Sequence, residues 1–355
     1  MSIRRKVTAL LIAVNLLSLG SLGTLARNKD RELKVMTYNM YLGSDFTDIF
    51  QAQSGNEVLL EVGEAYRDMI SGNVPERISS IADQIATGEP VLVGLQEVAL
   101  WRTGAFLDGA PATDVTYDFL QVLLDELAER GLHYAPLEVQ TNLDVELPGV
   151  VTPSDFRDIR YTDRDVILAR TDLMTSQLKV EGTQSGTFDA RIPITVLGQT
   201  ITVVRGWASA DVKFRGKSYR FINAHLESIV ELVQIAQALE LLAGPADTDL
   251  PLILVGDFNS DAEANGTAYL LLTGAGLTDV WEDQQPSNPG FTWPLSGEIP
   301  LPTEVPTQRL DLILARGKIS LSSVDIFGET AADLTPSGFR PSDHAGVGAS
   351  VVLTP

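Results

Sequence analysis

The chain has no cysteine. That excludes disulfides, thiolate metal sites, a cysteine nucleophile and a lipidated amino-terminal cysteine together. Histidine is scarce, with three in 355 residues, so imidazole chemistry has few carriers. Any metal must be held by oxygen or imidazole. Positive charge is also short, since 26 Lys and Arg stand against 47 Asp and Glu, for a net charge of −21. This balance argues against the broad basic footprint that polymeric nucleic acid calls for. It does not exclude a nuclease, because a divalent cation in a cleft neutralises phosphate locally. No Pro/Ser linker and no internal repeat divides the sequence, and 44% apolar content suits a globular protein with a sizeable core.

One long apolar run is present, at the start. Arg4, Arg5 and Lys6 precede it, it extends from Val7 to about Leu25, and small residues lead to Ala26. This is the pattern of a secretory signal peptide over residues 1–26, with an uncleaved membrane anchor as the competing reading. The expectation is a secreted or periplasmic protein with a single domain over residues 27–355.

The remainder alternates strand and helix signals. Strand patterns fall at Leu33–Tyr38, Val91–Leu95, Tyr134–Gln140, Asp165–Ala169, Leu252–Val255, Leu310–Ala315, Ser320–Phe327 and Gly346–Val352, with a meander over 178–226. Helical patterns cover Glu57–Ile70, Pro75–Thr87, Phe119–Arg130, Val230–Leu242 and Gly266–Leu272. In the fourth, Leu232, Ile235, Ala236, Leu239 and Leu242 share a face, which predicts the buried side. The stretches Trp101–Thr116 and Leu147–Asp158 are polar or Gly-rich and read as loops. Strands outnumber helices, and the helices fall between runs of strands. The fold expected is α+β, with helices outside two stacked sheets.

Several strands end on groups that do chemistry. In PLILVGDFNSD an apolar strand runs into Gly256, Asp257 and Asn259, which alone would suit a turn as well as a site. Asn39, Glu97, His225, Asp311, Asp343 and His344 occupy comparable strand-end positions. If those ends converge, hard oxygen ligands suited to Mg²⁺, Mn²⁺ or Ca²⁺ stand beside two imidazoles that exchange protons near neutral pH. His133 reads as an ordinary surface or core residue.

Seven ordered segments, MTYNM, LQEV, NAHLES, LVGDFNSD, FTWP, RLDLILAR and SDHAGV, together resemble the endonuclease/exonuclease/phosphatase superfamily, the fold of pancreatic deoxyribonuclease. The resemblance spans residues 34–347 and implies a four-layer α/β/β/α sandwich of two mixed sheets. It implies metal-assisted attack of water on a phosphate ester, with no covalent enzyme intermediate. Glu97 then matches the principal metal ligand, with Asn39 beside it and Asp343 a metal-site or orienting carboxylate. Asp257 matches the carboxylate that handles the attacking water or a metal, and Asn259 the amide that holds the phosphate. His344 matches the histidine on the scissile phosphate, as base or electrostatic stabiliser, with Asp311 its partner. His225 matches a second histidine of the deoxyribonuclease and sphingomyelinase branches, a candidate general acid.

Arg164 in TDRDVILAR departs from the family pattern. It is expected either as a solvated charge or as a contact to a second phosphate or anionic headgroup. No counterpart of the tyrosine used by abasic-site endonucleases is evident. The substrate expected is a phosphate ester in nucleic acid, phospholipid or a small molecule. An inositol-polyphosphate phosphatase and a non-catalytic binding module are the alternatives. No obligate protein partner is evident, and a monomer is expected.

Overall fold

Period-two alternation divides the apolar residues of most strands between two cores. Along Leu252–Asp257, Leu252 and Leu254 enter one apolar cluster while Ile253 and Val255 enter another. Both sides are covered, which is why the strand reads as a continuous apolar run. The computed structural model describes residues 32–196, 198–295 and 305–354. The segment 1–26 expected as a signal peptide and part of the Pro-rich stretch before Thr307 lie outside the described residues.

The described chain begins with β1 (Glu32–Asn39), α1 (Thr47–Gln51), α2 (Gly55–Ser71) and α3 (Val74–Gly88). Next come β2 (Leu92–Gln96), β3 (Leu100–Ala105), β4 (Asp114–Asp118), α4 (Phe119–Glu129) and the long hairpin β5 (Tyr134–Thr152) and β6 (Asp155–Arg170). The second half holds β7 (Leu178–Thr187), a small hairpin β8 (Ile192–Val196) and β9 (Gln199–Val203), then β10 (Gly206–Phe214) and β11 (Lys217–His225). It continues with α5 (Glu231–Ala243), β12 (Leu252–Asp257), α6 (Thr267–Gly274), β13 (Thr278–Asp279) and α7 (Val280–Gln284). It closes with β14 (Asp311–Arg316), β15 (Ile319–Phe327) and β16 (Gly346–Leu353).

One sheet runs β15-β16-β1-β2-β6-β3-β4, with β5 paired along β6, and the other runs β13-β14-β12-β11-β10-β7. Both are mixed, since β1 with β2 and β11 with β12 are parallel. Met36, Tyr38, Val93 and Leu168 meet α2, α3 and α4 on the outer face of the first sheet. Ile222, Leu254 and Leu312 meet α5 and α6 on the outer face of the second. Val35, Ile167, Phe221, Ile253, Val255 and Ile313 fill the space between the sheets. These are the four layers expected. Gly94 permits the close inter-sheet contact, because a Cβ there would stand 2.6 Å from Val255 Cγ2. Among the described residues no helix is long and apolar enough to cross a membrane.

Three local expectations are corrected. Trp101–Thr116 is not a surface loop throughout, since it contains β3 and the start of β4, and Trp101 is buried against Phe46 and Tyr161. Leu147–Asp158 is the tip of the β5–β6 hairpin, pressed onto α2 where a Cβ on Gly63 would stand 2.0 Å from the Val150 carbonyl oxygen. The third concerns α5, which is turned about its axis relative to its apolar pattern. It buries Gln234, Gln237, Ala238 and Leu241 and leaves Leu232 78% and Leu239 49% exposed. Hydrogen bonds explain the inversion. Gln234 Nε2 donates to the carbonyls of Glu227 (2.9 Å) and Asn259 (2.6 Å), while Gln237 accepts from Glu227 N–H and donates to the Ala190 carbonyl. Those carbonyls lie in turns with no strand partner, and the glutamines satisfy them.

Candidate active site

The parity that places Ile253 and Val255 between the sheets also aims Asp257 inward at the strand's end. The same count along β11 puts Phe221, Asn223 and His225 on the inner face, and along β14 it puts Asp311 and Ile313 there. Where the inter-sheet core stops, the inward positions turn polar. Asn223 and Gln96 bridge the sheets at this boundary: Asn223 Nδ2 donates to the Leu95 and Val166 carbonyls, and Gln96 Nε2 donates to Asn223 Oδ1 at 2.5 Å. The site is thus the polar end of the apolar layer. It opens into a cleft of about 690 Å³ lined by Glu97, His225, Asp257, Asn259, Asp343 and His344 among others.

Asp257 and Asn259 form a turn and a site at once. Asp257 Oδ1 accepts from Asn259 N–H at 2.9 Å, and Asn259 takes a left-handed φ of 48°. The Asn259 side chain donates from Nδ2 to the Leu226 carbonyl at 2.9 Å and stands 3.2 Å from His225 Nε2. Asn39 Nδ2 donates to Asp257 Oδ2 at 3.1 Å, which ties the two sheets together through the site.

His344 is held by the loop before β16. Ser342 Oγ donates to the Asn39 carbonyl at 2.7 Å and accepts from His344 N–H at 3.1 Å. Thr292 of the FTWP segment accepts from the backbone N–H of Leu310 and Asp311, and the Trp293 ring lies 6.4 Å from the imidazole. The imidazole Nδ1 is 2.8 Å from Asp311 Oδ2, and Nε2 is 3.7 Å from Asp257 Oδ2. Burial opposes charge on His344, but Asp311, Asp257 and Asp343 outweigh it and lift its pKa well above the ordinary value. The three carboxylates thus favour the protonated form of His344. Burial, opposed by His344, pushes Asp257 up to about 6.

Glu97 and Asp343 line the same cleft, and Asn39 is buried beside Asp257. Glu97 Oε2 accepts from Leu42 N–H at 2.8 Å, and Asn39 Oδ1 accepts from Tyr41 N–H at 3.0 Å. Burial raises the Glu97 pKa, with Asp163 adding to it. Burial also pushes Asp343 up to about 6, relieved in part by His344 and reinforced by Glu97. Two half-buried carboxylates that repel each other fit a hard divalent cation. Asp257, Asp311 and His344 also bring ligand atoms within 4.8 Å of one another. In that trio Nδ1 of His344 is bonded to Asp311, which leaves only Nε2 of the imidazole for a cation.

The structure therefore brings Asn39, Glu97, His225, Asp257, Asn259, Asp311, Asp343 and His344 together, and leaves Arg164 out. Arg164 is neither solvated nor in the cleft. Its guanidinium donates to the Val98 and Ala99 carbonyls and to Asp118, the N-cap of α4. Replacing Arg164 with Met should cost roughly 2 kcal/mol of stability, since it strips partners from a part-buried carboxylate and two carbonyls. Chemical denaturation measured beside KM checks this: a raised KM at unchanged stability would return Arg164 to the cleft.

The cleft arginine is instead Arg205, which the sequence reading missed. Its Nη1 lies 3.2 Å from His225 Nδ1 and 3.5 Å from Asp163 Oδ2. Asp163 and Asp165 form a buried pair beneath it, bridged by Asn142 Nδ2 at 3.2 and 2.9 Å. Burial, with Asp163 adding to it, lifts the Asp165 pKa well above the usual range. The alternation of charged residues within TDRDV was the available signal, because charges at every second strand position share a face.

Solved structures share this fold. An endonuclease/exonuclease/phosphatase family protein from Bacteroides thetaiotaomicron is 17% identical, covering 91% of this chain and 95% of its own, with a TM-score of 0.55. A mannosyl-6-phosphatase from the same organism is 17% identical over 90% of this chain and 99% of its own, with a TM-score of 0.52. The human Nocturnin catalytic domain with bound sulfate is 18% identical over 91% and 95%, with a TM-score of 0.50. No curated protein matches the sequence. The profile of the Endonuclease/Exonuclease/phosphatase family matches residues 36–344, nearly the whole described chain. With that match and a strand-end cluster assembled by both sheets, the chain belongs to the Endonuclease/Exonuclease/phosphatase family and is a hydrolase of phosphoric esters.

Proposed function

We propose that the chain is a secreted, divalent-metal-dependent phosphoesterase that cleaves an ester carrying a single phosphate, with water as the attacking group. The observation that supports this best is the pairing of a cationic His344, held by Asp311, with Asp257, whose raised pKa suits a base near neutral pH. An imidazolium cannot take a proton from water. His344 therefore stabilises charge on the phosphoryl oxygens, and Asp257 receives the water proton. Asn259 orients the phosphate with its amide. His225, whose pKa burial and Arg205 hold well below the ordinary value, is neutral and contributes a hydrogen bond rather than a charge. Glu97, Asp343 and Asn39 would hold Mg²⁺, Mn²⁺ or Ca²⁺. When bound, the cation polarises a phosphoryl oxygen as a Lewis acid.

Cleft charge separates the alternatives. Among the described lining residues Arg205 is the only Lys or Arg, and it is already engaged by His225 and Asp163, so the cleft offers too few cationic side chains for the several phosphates of an inositol polyphosphate. Together with the net charge of −21, this also favours a small ester or a lipid headgroup over polymeric nucleic acid. Secretion is proposed on the amino-terminal pattern alone, and sequencing the exported protein should place its first residue just after Ala26.

The test is a substrate panel of bis-p-nitrophenyl phosphate, p-nitrophenyl phosphate, sphingomyelin, DNA, RNA and inositol hexakisphosphate with each cation. A single-phosphate ester should be hydrolysed about tenfold or more faster than the polyphosphate. Turnover of the polyphosphate alone would sink the proposal.

The carboxylate pKa values give a second prediction. Asp343 in the metal-free fold titrates at about 6, above the unfolded value of about 3.9. Its contribution to metal-free stability is present below the unfolded pKa and is lost as pH rises through the folded one. A cation restores what is lost, so the rise in Tm on adding Mg²⁺ should grow between about pH 5 and pH 7. A Tm gain that shrinks over that window would place the cation elsewhere.

A further inference from the structure

His225 is flanked by N–H donors on both ring nitrogens. Arg205 Nη1 lies 3.2 Å from Nδ1, and Asn259 Nδ2 lies 3.2 Å from Nε2. A neutral imidazole has one accepting nitrogen, so only one of these contacts is a hydrogen bond. The two donors are not equivalent. A guanidinium is always charged, and a charged donor makes the stronger bond. Asn259 Nδ2 carries two hydrogens, and one of them goes to the Leu226 carbonyl at 2.9 Å, so the amide keeps a partner whichever way the His225 proton sits. Asp165 Oδ1, at 3.9 Å from Nδ1, is beyond hydrogen-bond reach of a proton placed there.

We infer that Arg205 is a positioning residue that fixes His225 as the neutral tautomer with its proton on Nε2, so that the cleft-facing nitrogen is a donor. Asp163 and Asp165 anchor the guanidinium from behind, and Arg205 Nη1 meets Asp163 Oδ2 at 3.5 Å. The order is carboxylate, guanidinium, imidazole. Nε2 then directs its hydrogen toward Asp257 Oδ2, 3.6 Å away, or toward an oxygen of a bound phosphate. With the opposite tautomer a lone pair would face that oxygen and repel it. The kinetic consequence rests on the phosphoesterase reading; the tautomer does not.

The chain has three histidines, so long-range ¹H–¹⁵N spectra of the ring nitrogens resolve them, with His133→Gln and His225→Gln for assignment. In the full chain, with and without Mg²⁺, His225 should show an unprotonated Nδ1 and a protonated Nε2. In Arg205→Met the proton should move to Nδ1, because the donor left beside the ring is then Asn259 Nδ2, which faces Nε2. The kcat for bis-p-nitrophenyl phosphate should fall about tenfold or more with KM within about threefold of wild type. In a His225→Ala background the same change should cost nearly nothing, since Arg205 acts through His225.

A wild-type spectrum with the proton on Nδ1, or a tautomer unmoved by Arg205→Met, would overturn the inference. So would an undiminished cost in the His225→Ala background, which would make Arg205 a direct substrate ligand. Because Arg205→Met leaves two buried carboxylates uncompensated, Arg205→Met with Asp163→Asn keeps the charge balance and is read in the same way. The spectra report whether or not any ester is hydrolysed, so failure of the functional reading is separable from failure of this one.

Discussion

Replacing His344 with Gln is expected to lower kcat by about 10³-fold or more, close to 4 kcal/mol of transition-state stabilisation, while the circular dichroism spectrum and melting cooperativity stay intact. Glutamine is the informative replacement because its amide can still donate to Asp311, which keeps a buried carboxylate from losing its partner. What it removes is the positive charge. The companion change Asp311→Asn leaves the imidazole in place but withdraws the carboxylate that does most to hold it charged. With a folded pKa well above 6.5, wild-type His344 stays protonated through neutral pH. In Asp311→Asn that pKa falls toward the ordinary value, and activity should decline as pH rises through it. The alkaline limb of the pH–kcat profile therefore moves to lower pH. A profile that keeps its alkaline limb, or a His344→Gln protein with kcat within about tenfold of wild type, would remove His344 from the phosphate.

The second large effect is expected at the carboxylate cluster. Glu97→Gln keeps the side-chain shape and the acceptor for Leu42 N–H but removes one of two half-buried carboxylates. Calorimetry should show divalent-cation affinity lower by about 10²-fold or more, and kcat at fixed Mg²⁺ should fall by a comparable factor, recovering in part as Mg²⁺ is raised. Arg77, buried behind this cluster and stacked over Tyr41, offsets some of the negative charge but donates to backbone carbonyls rather than to the carboxylates. It cannot replace the cation. Unchanged affinity in Glu97→Gln would move the metal to the Asp257 and Asp311 side.

Much of this was legible in the residues. Strand-end polar groups follow from parity along β1, β11, β12 and β14, and those strands are apolar enough to identify from the chain alone. Six of the seven motif segments fall on strand ends and FTWP lies in the loop before β14, and the structure gathers them at one cleft. The misreadings share a cause, which is that buried hydrogen bonds outweigh hydrophobic pattern where turns need partners. In α5, Gln234 and Gln237 occupy the packed face because the carbonyls of Glu227, Asn259 and Ala190 would otherwise be unsatisfied, and Leu232 and Leu239 turn outward. Arg164 lies outside the cleft, and Arg205 lies in it, for the same reason. One charge closes a helix N-terminus and two strand-end carbonyls, the other sits on a buried acid pair, and neither partner set is adjacent in sequence.

Trp101 illustrates a different limit. Its neighbours Arg102, Thr103 and Gly104 read as a loop, yet the indole packs beneath Phe46 and Tyr161 and donates to the Leu42 carbonyl. A strand whose outer positions are Arg and Gly carries too little local pattern to be identified. Its tertiary contacts decide.

The central claim is that a divalent cation on Glu97, Asp343 and Asn39 works with a cationic His344 to hydrolyse a phosphate ester. Its most direct measurement is the rate of phosphate-ester hydrolysis by metal-stripped protein, before and after Mg²⁺, Mn²⁺ or Ca²⁺ is restored, in wild type and His344→Gln. The account predicts hydrolysis that is absent in chelator, returns with a cation, and falls by about 10³-fold in the variant. Hydrolysis that persists in chelator, or that His344→Gln sustains at the wild-type rate, would contradict it.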